Sequence, residues 1–197
     1  MNTSLQIKNL TREDILTHID ALAAILENCV NGGASVRFML PFSPEKARTF
    51  WRGIAERVGS HERSVLACID PQDGVIGTVQ LITEQPENQP HRADVAKLLV
   101  HEKARRKGVA MALMKALEAL ARAQGISVLV LDTSTGSGAE GFYQRAGWGE
   151  EAIETYRTRF GGFGKLIYAL PDSYRRLRDG EEICIGEQRW RVVVGAG

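Results

Sequence analysis

The most constraining feature of this chain is a strand, helix, strand succession between residues 93 and 131. Ala93 to Val100 is an apolar, strand-like run, and residues 101 to 107 after it are polar and basic. Val109, Leu113, Ala116, Leu117 and Leu120 then recur at helical spacing, and Gly125 supplies a C-terminal stop. Val128 to Leu131 is a continuous apolar run of the kind seen in strands buried on both faces. Two strands joined by a helical crossover lie parallel in one sheet, so the chain is α/β.

The remaining punctuation places neighbours around this unit. Ser4 to Asn9 alternates as a short strand, and Thr11 with Asp14 makes a capping box that predicts a helix through about Asn28, with Ile15, Ile19, Leu22 and Leu26 as its buried stripe. Asn31-Gly32-Gly33-Ala34-Ser35 is a break. Ser43-Pro44-Glu45 caps a second helix to about Val58. Ser64 to Ile69 and Val75 to Ile82 are apolar runs joined by Pro71-Gln72-Asp73-Gly74, which predicts an antiparallel hairpin. A short helix at about Ala139 to Arg145 ends at Gly147.

Bulk properties exclude several classes. With 197 residues and 44% hydrophobic content, the chain accommodates one principal domain and a small appendage. Its 25 basic and 24 acidic residues nearly cancel, so it lacks the positive field of a general nucleic-acid binder. No run has the length or apolarity of a membrane span, and the first residues do not resemble a secretory signal. Cys29, Cys68 and Cys184 are odd in number and outside any metal-like spacing, which suits a reducing cytoplasmic compartment and predicts no metal site.

The chemistry concentrates at His101-Glu102-Lys103-Ala104-Arg105-Arg106-Lys107-Gly108-Val109-Ala110, between the strand and the long helix. A helix start exposes unpaired N–H groups and the positive end of its dipole, and small residues at 108 and 110 let a phosphate approach the backbone. Four cations between positions 103 and 107 add charge. This is an anion site of diphosphate type. A solvated basic helix cap is the competing reading, and the glycine patterns of the common nucleotide loops are absent.

Arg105, Gly108 and Ala110, after a strand ending in Leu98-Leu99-Val100, resemble the Q/R-x-x-G-x-G/A coenzyme pattern of the GNAT superfamily of N-acetyltransferases. Ala139-Glu140-Gly141-Phe142-Tyr143-Gln144-Arg145-Ala146-Gly147-Trp148 resembles the same superfamily's A-x-x-F-Y-x-x-x-G-F/W segment. Gly32-Gly33-Ala34-Ser35-Val36, residues 92 to 100 and Leu131-Asp132-Thr133 are similar to the tabtoxin-resistance branch, which acetylates a small amino-acid-like toxin.

The resemblance implies a mixed, mostly antiparallel sheet with a splayed parallel pair flanked by helices. Acetyl-coenzyme A would lie along Leu98, Leu99 and Val100, with its diphosphate on Arg105, Arg106, Lys107, Gly108, Val109 and Ala110. Transfer in such enzymes is direct, so no nucleophilic cysteine is needed. The acceptor would be a small-molecule amine, with peptide acetylation or coenzyme binding without turnover as the alternatives, and Gly33, Ser35 and Phe38 would shape its pocket. Its ammonium must lose a proton, for which Asp94 and Asp132 are candidates. Period-two alternation predicts that Asp94 shares a face with Ala96, Leu98 and Val100. Pairing with Arg92 or Lys97 is the competing role for Asp94. Tyr143 would stand near the departing sulfur. Gly136 stands where the superfamily often has asparagine.

The tail departs from the pattern. A closing antiparallel strand pair is expected, but Arg157 to Gly164 is glycine-rich and basic, which predicts a weak closing strand. The reading gives an acetyltransferase domain over 1–168 and a hairpin extension over 169–197. Leu170 to Gly195 reads as a hairpin and resembles a fragment of metallo-β-lactamase-type hydrolases, yet contains no histidine, so no hydrolase chemistry is inferred. The hairpin would complete the sheet or pair with a second copy to give a homodimer.

Overall fold

The computed structural model describes residues 5–34, 36–133, 138–148, 164–169, 182–185 and 188–191. Its centre is a six-stranded sheet whose strands follow in chain order: β1 (Gln6–Leu10), β2 (Arg63–Asp70), β3 (Gly74–Ile82), β4 (Arg92–Val100), β5 (Val128–Thr133) and β6 (Gly164–Ala169). The first three neighbouring pairs are antiparallel and β4 runs parallel to β5. The expected mixed sheet is therefore present. β6 joins β5 in parallel rather than as part of an antiparallel closure. A helix lies between those two strands in the chain, and a crossover returns the chain in the same direction.

One layer of helices is α1 (Arg12–Thr17), α2 (Ile19–Asn31) and α3 (Pro44–Gly59). The capping box that opens α1 forms as expected: Thr11 accepts from the Asp14 N–H while Asp14 accepts from the Thr11 N–H. The predicted single helix is divided at His18, whose φ of −98° and ψ of 17° leave the helical region. α3 begins at the predicted Ser43 cap with Pro44 in its first turn. Its Trp51, with Leu22 and Leu26 of α2 and Val65 and Ala67 of β2, forms the core on this side.

The opposite face carries α4 (Val109–Ala123), and α5 (Gly138–Arg145) follows β5. Leu113, Met114, Leu117 and Ala121 of α4 pack with Leu66, Val79, Leu81, Val95 and Leu129 of the sheet. The β2–β3 hairpin closes through Asp70, whose Oδ1 accepts from the N–H groups of Gln72 and Asp73, before Gly74 takes a φ of +72°. Between β4 and α4 lies one 3₁₀ turn, Glu102–Ala104. In the tail, β7 (Glu182–Ile185) and β8 (Gln188–Arg191) pair with each other in a separate two-stranded sheet.

Candidate functional site

The parallel pair is joined for only a short distance. Arg92, Ala93 and Asp94 pair with Val128, Leu129 and Val130, and no later β4 residue pairs with β5. β4 meanwhile continues along β3 as far as Val100 opposite Gly77. The strands thus fork at Asp94, and one edge of β4 faces the gap. The His101 N–H donates to the Ile76 carbonyl on the β3 side. By strand alternation the N–H groups of Val100 and Leu98 turn the other way, into the gap, while that of Leu99 turns to β3.

A bulge drives the divergence. The β3–β4 register shifts between Thr78 and Gln80, so Lys97 and Leu98 together oppose Val79, and Lys97 sits at a φ of 53°. An extra residue bends and twists its strand, and a lysine in the left-handed region stores about 1–3 kcal/mol of strain. It also reverses the faces. Ala93 and Val95 pack on the α4 side, whereas beyond the bulge it is Leu98 and Val100 that do so, and Leu99 joins the α2–α3 core. The expectation that Asp94 shares a face with Leu98 and Val100 is therefore overturned: Asp94 and Ala96 lie on the α2–α3 side.

At the mouth of the fork stands the glycine turn. Gly108 caps α4 at a φ of 80°, a Cβ added there would meet nothing within 4 Å, and no acidic residue stands in the first turn. Arg105, Arg106, Lys107 and Gly108 are exposed, and Ala110 is half-buried. The turn therefore offers open space, free N–H groups and cations together, which suits a diphosphate. Val109 contributes differently from its neighbours, because its side chain is buried against Gly77 and only its backbone is available to a ligand. Arg105 reaches inward: its Nε donates to the Val100 carbonyl at 3.4 Å, where the Cys29 thiol also donates at 3.5 Å. Burial pushes the Cys29 thiol up despite Arg105, so it stays protonated. An open depression of about 490 Å³ adjoins this turn along α2, lined by residues including Asn28, Gly32, His101 and Glu102.

Asp94 stands at the root of the fork in an ion pair: Arg92 Nη2 donates to its Oδ1 at 3.0 Å and Arg92 Nε at 3.3 Å. Both partners remain partly open to solvent. The Asp132 backbone pairs with Tyr168, about 7 Å along β5 from the partner of Asp94, and its side chain lies outside the described residues. Ser35 and Gly136 lie outside them too. Tyr143 is half-buried on α5, with the Phe142 ring 5.3 Å and the Trp148 ring 6.3 Å away. Burial pushes its hydroxyl up to about 12, so it holds its proton at neutral pH and can only donate it. Gly33 has a φ of 84° in the α2–α3 connection. Phe38, further on, packs 4.7 Å from Phe42 and 5.3 Å from Phe50, ring centre to ring centre.

Four side chains that the sequence reading did not single out face this same layer. Arg63 Nη1 donates to Gln80 Oε1 at 2.9 Å, and Thr78, Gln80 and Arg63 are buried between the sheet and α3. Trp51 Nε1, Arg63 Nε, Thr78 Oγ1 and Gln80 Nε2 have no hydrogen-bond partner among the described residues. Each such group costs about 1–3 kcal/mol if nothing meets it. A signal was available: Thr78 and Gln80 are polar residues at alternate positions inside the apolar run from Val75 to Ile82.

Lys97 closes the layer from β4. Its Nζ donates to the Val36 carbonyl and lies 5.1 Å from the Phe38 ring centre and 5.8 Å from that of Phe50. Burial, first, together with the charges of Arg37 and Arg63 lowers its ammonium from 10.5 to about 8. Between pH 8 and 10.5 the unfolded chain binds the proton that the folded chain has lost, so stability rises with pH across that window. Thermal melts from pH 7 to 11 should show the wild type gaining stability relative to Lys97→Met across this window; parallel curves would contradict it.

The sequence matches the family described as "Acetyltransferase (GNAT) family" over residues 34–148, more than half of the chain. The protein belongs to that family and is an acetyltransferase by class. Solved structures of the same fold include the PaiA N-acetyltransferase of Thermoplasma acidophilum in complex with coenzyme A, at 17% identity and a TM-score of 0.53, with 74% of this chain and 90% of that one covered. An aminoglycoside acetyltransferase from an uncultured soil metagenomic sample matches at 19% identity and 0.57, covering 75% and 93%. The ribosomal-protein-alanine N-acetyltransferase of Brucella melitensis matches at 24% and 0.56, covering 72% and 82%. The acceptors named for the last two differ, so the fold does not select one. Among the described residues no helix is long and apolar enough to cross a membrane, and no cluster of His, Cys, Asp and Glu has the makings of a metal site.

Proposed function

We propose that this protein transfers the acetyl group of acetyl-coenzyme A directly to the primary amine of a small, amino-acid-like or antibiotic-like molecule. The observation that carries the reading is the fork of β4 and β5 with the open turn at Gly108 at its mouth. When bound, acetyl-coenzyme A supplies an activated thioester. The exposed cations and the α4 N-terminus hold its diphosphate, and the gap-facing N–H groups of Leu98 and Val100 hydrogen-bond the arm and polarise the carbonyl oxygen. Asp94, beside the fork on the α2–α3 side, takes the proton of the acceptor ammonium directly or through one water. Asp132 shares this task of binding or deprotonating the amine. Tyr143 donates its proton to the departing sulfur.

A small acceptor is favoured over a peptide by the roof of the layer. Phe38 packs against Phe42 and edge-on to Phe50, and Lys97 ties the Val36 carbonyl to β4, so the α2–α3 connection is fastened over β4 at this point. By the resemblance, Gly33, Ser35 and Phe38 would shape the acceptor's pocket. The likeness of this segment to the tabtoxin-resistance branch is consistent with a resistance role, and the tail's likeness to a hydrolase fragment adds no chemistry. We read residues 1–168 as the catalytic domain and 169–197 as its appendage, in keeping with the separate β7–β8 sheet. The cytoplasm suits both the cosubstrate and the free, buried thiols of Cys29 and Cys68.

Asp94→Asn tests the proton transfer. It should lower kcat by about 100-fold, in the range of general-base contributions, with acetyl-coenzyme A affinity unchanged. Parallel loss of coenzyme binding, read by calorimetry, would make Asp94 a structural partner of Arg92 instead.

A further inference from the structure

The layer between the sheet and α3 contains a set of groups that the transfer chemistry does not use. Arg63 and Gln80 are locked together by the 2.9 Å bond from Nη1 to Oε1, which fixes the Gln80 amide with its NH₂ group pointing onward. That NH₂ group, Arg63 Nε, Trp51 Nε1 and the Thr78 hydroxyl are all buried without partners among the described residues. Three of the four can only donate, and the hydroxyl can do so. Such a collection calls for an acceptor oxygen, and beside a guanidinium for an anionic one.

Register places these groups relative to the fork. Ile82 of β3 faces both Arg63 and Asp94, and Gln80 faces both Val65 and Ala96. Strands lie about 4.8 Å apart, so Arg63 and Asp94 are about 10 Å apart across the sheet, on the same face. Lys97 adds a cation to that side, close enough for Arg63 to act on it. Acidic charge nearby comes from Glu62 and Glu84, which flank Arg63 at the far end of its strand pair. From Asp94 toward Arg63, the layer thus passes from a carboxylate to a bank of donors.

We infer that the acceptor carries a carboxylate, which docks on Arg63, Gln80, Thr78 and Trp51 while its amine lies toward Asp94. The inference rests on the acetyl-transfer reading and narrows its acceptor to amino acids and amines with an acid group at amino-acid-like reach. Arg63 and Gln80 act as specificity residues, distant from the reacting atoms.

The test pairs each of the common amino acids with its own carboxamide, and adds phosphoethanolamine and cadaverine, in a free-thiol release assay with acetyl-coenzyme A. The wild type should prefer one or more acids over their amides by at least about 30-fold in kcat/KM, mainly through KM, because a site of buried donors is left unpaired by the neutral analogue. Arg63→Gln should reduce that preference to about 3-fold or less, the loss falling mainly on the KM of the acid. Thr78→Val, which keeps shape and removes only a hydroxyl, should fold as well as the wild type and weaken the preference by about 3- to 10-fold. Equal use of acids and amides, or a preference for phosphoethanolamine or cadaverine, would overturn the carboxylate while leaving acetyl transfer intact. Absence of thiol release with every amine would instead strike the acetyl-transfer reading. Calorimetric titration of the same acids into protein saturated with coenzyme A decides the carboxylate separately: binding by an acid, not its amide, and its loss in Arg63→Gln support it, and no acid-selective binding overturns it.

Discussion

Gly108→Glu abolishes measurable binding of acetyl-coenzyme A, with a loss of at least about 100-fold in affinity, and leaves the fold intact. Two costs act together. Position 108 has a φ of 80°, where a side chain costs about 1–2 kcal/mol relative to glycine. The larger effect is electrostatic: a carboxylate enters the open space where the diphosphate would lie, at the positive end of α4. Gly108→Ala separates the two, since it retains the strain, which lowers Tm, without the charge, and should bind within about 10-fold of the wild type. Calorimetry with acetyl-coenzyme A, alongside a thermal melt, reads both variants. Unchanged affinity in Gly108→Glu would place the diphosphate elsewhere.

Gly77→Val produces the largest loss of stability. An added Cβ would stand 2.9 Å from Val109 Cγ1, 3.1 Å from the Leu99 carbonyl oxygen and 3.3 Å from Leu113 Cδ1. One of these atoms is backbone, and the others belong to the fully packed first turns of α4. Overpacking of this kind costs about 2–3 kcal/mol, which for a domain of this size lowers Tm by about 5–10 °C. Gly77 also faces Val100 across the β3–β4 ladder, so the same wedge pushes α4 away from the edge of β4. Coenzyme affinity should fall along with Tm. A melt within 1–2 °C of the wild type, a small fraction of the expected shift, would mean that α4 can retreat freely.

What could be read from the residues was what depends on neighbours in the chain. The Thr11–Asp14 capping box, the Ser43-Pro44 cap, the Asp73-Gly74 turn and the Gly108 and Gly125 ends of α4 each follow from local chemistry, and each forms. The parallel β4–β5 pair followed from a crossover that only a parallel pairing accommodates. The bulge at Lys97 left no such mark. Nothing in Ala96-Lys97-Leu98 distinguishes an extra residue from a regular strand, because register is decided jointly with β3. The period-two prediction that followed Asp94 to Val100 therefore failed at the bulged residue. Arg105 illustrates the same limit: its motif position marks it for the coenzyme, whereas its guanidinium also fastens the end of β4 at the Val100 carbonyl.

The donor layer was half legible. Polar residues inside apolar strands are costly, so Thr78 and Gln80 could have been flagged from their setting alone. Their relation to Arg63 and Trp51 could not, since it requires the β2–β3 register and the seat of α3. β6 was likewise out of reach, because its direction depends on how the segment beyond α5 returns to the sheet.

The central claim is that the fork and its glycine turn bind acetyl-coenzyme A and deliver its acetyl group to a small amine. Isothermal titration of acetyl-coenzyme A into the purified protein, followed by free-thiol release against amino acids, polyamines and peptides, tests it most directly. Saturable one-to-one binding with thiol release on a small amine is the predicted result; absence of binding, or release only with peptides, would contradict it.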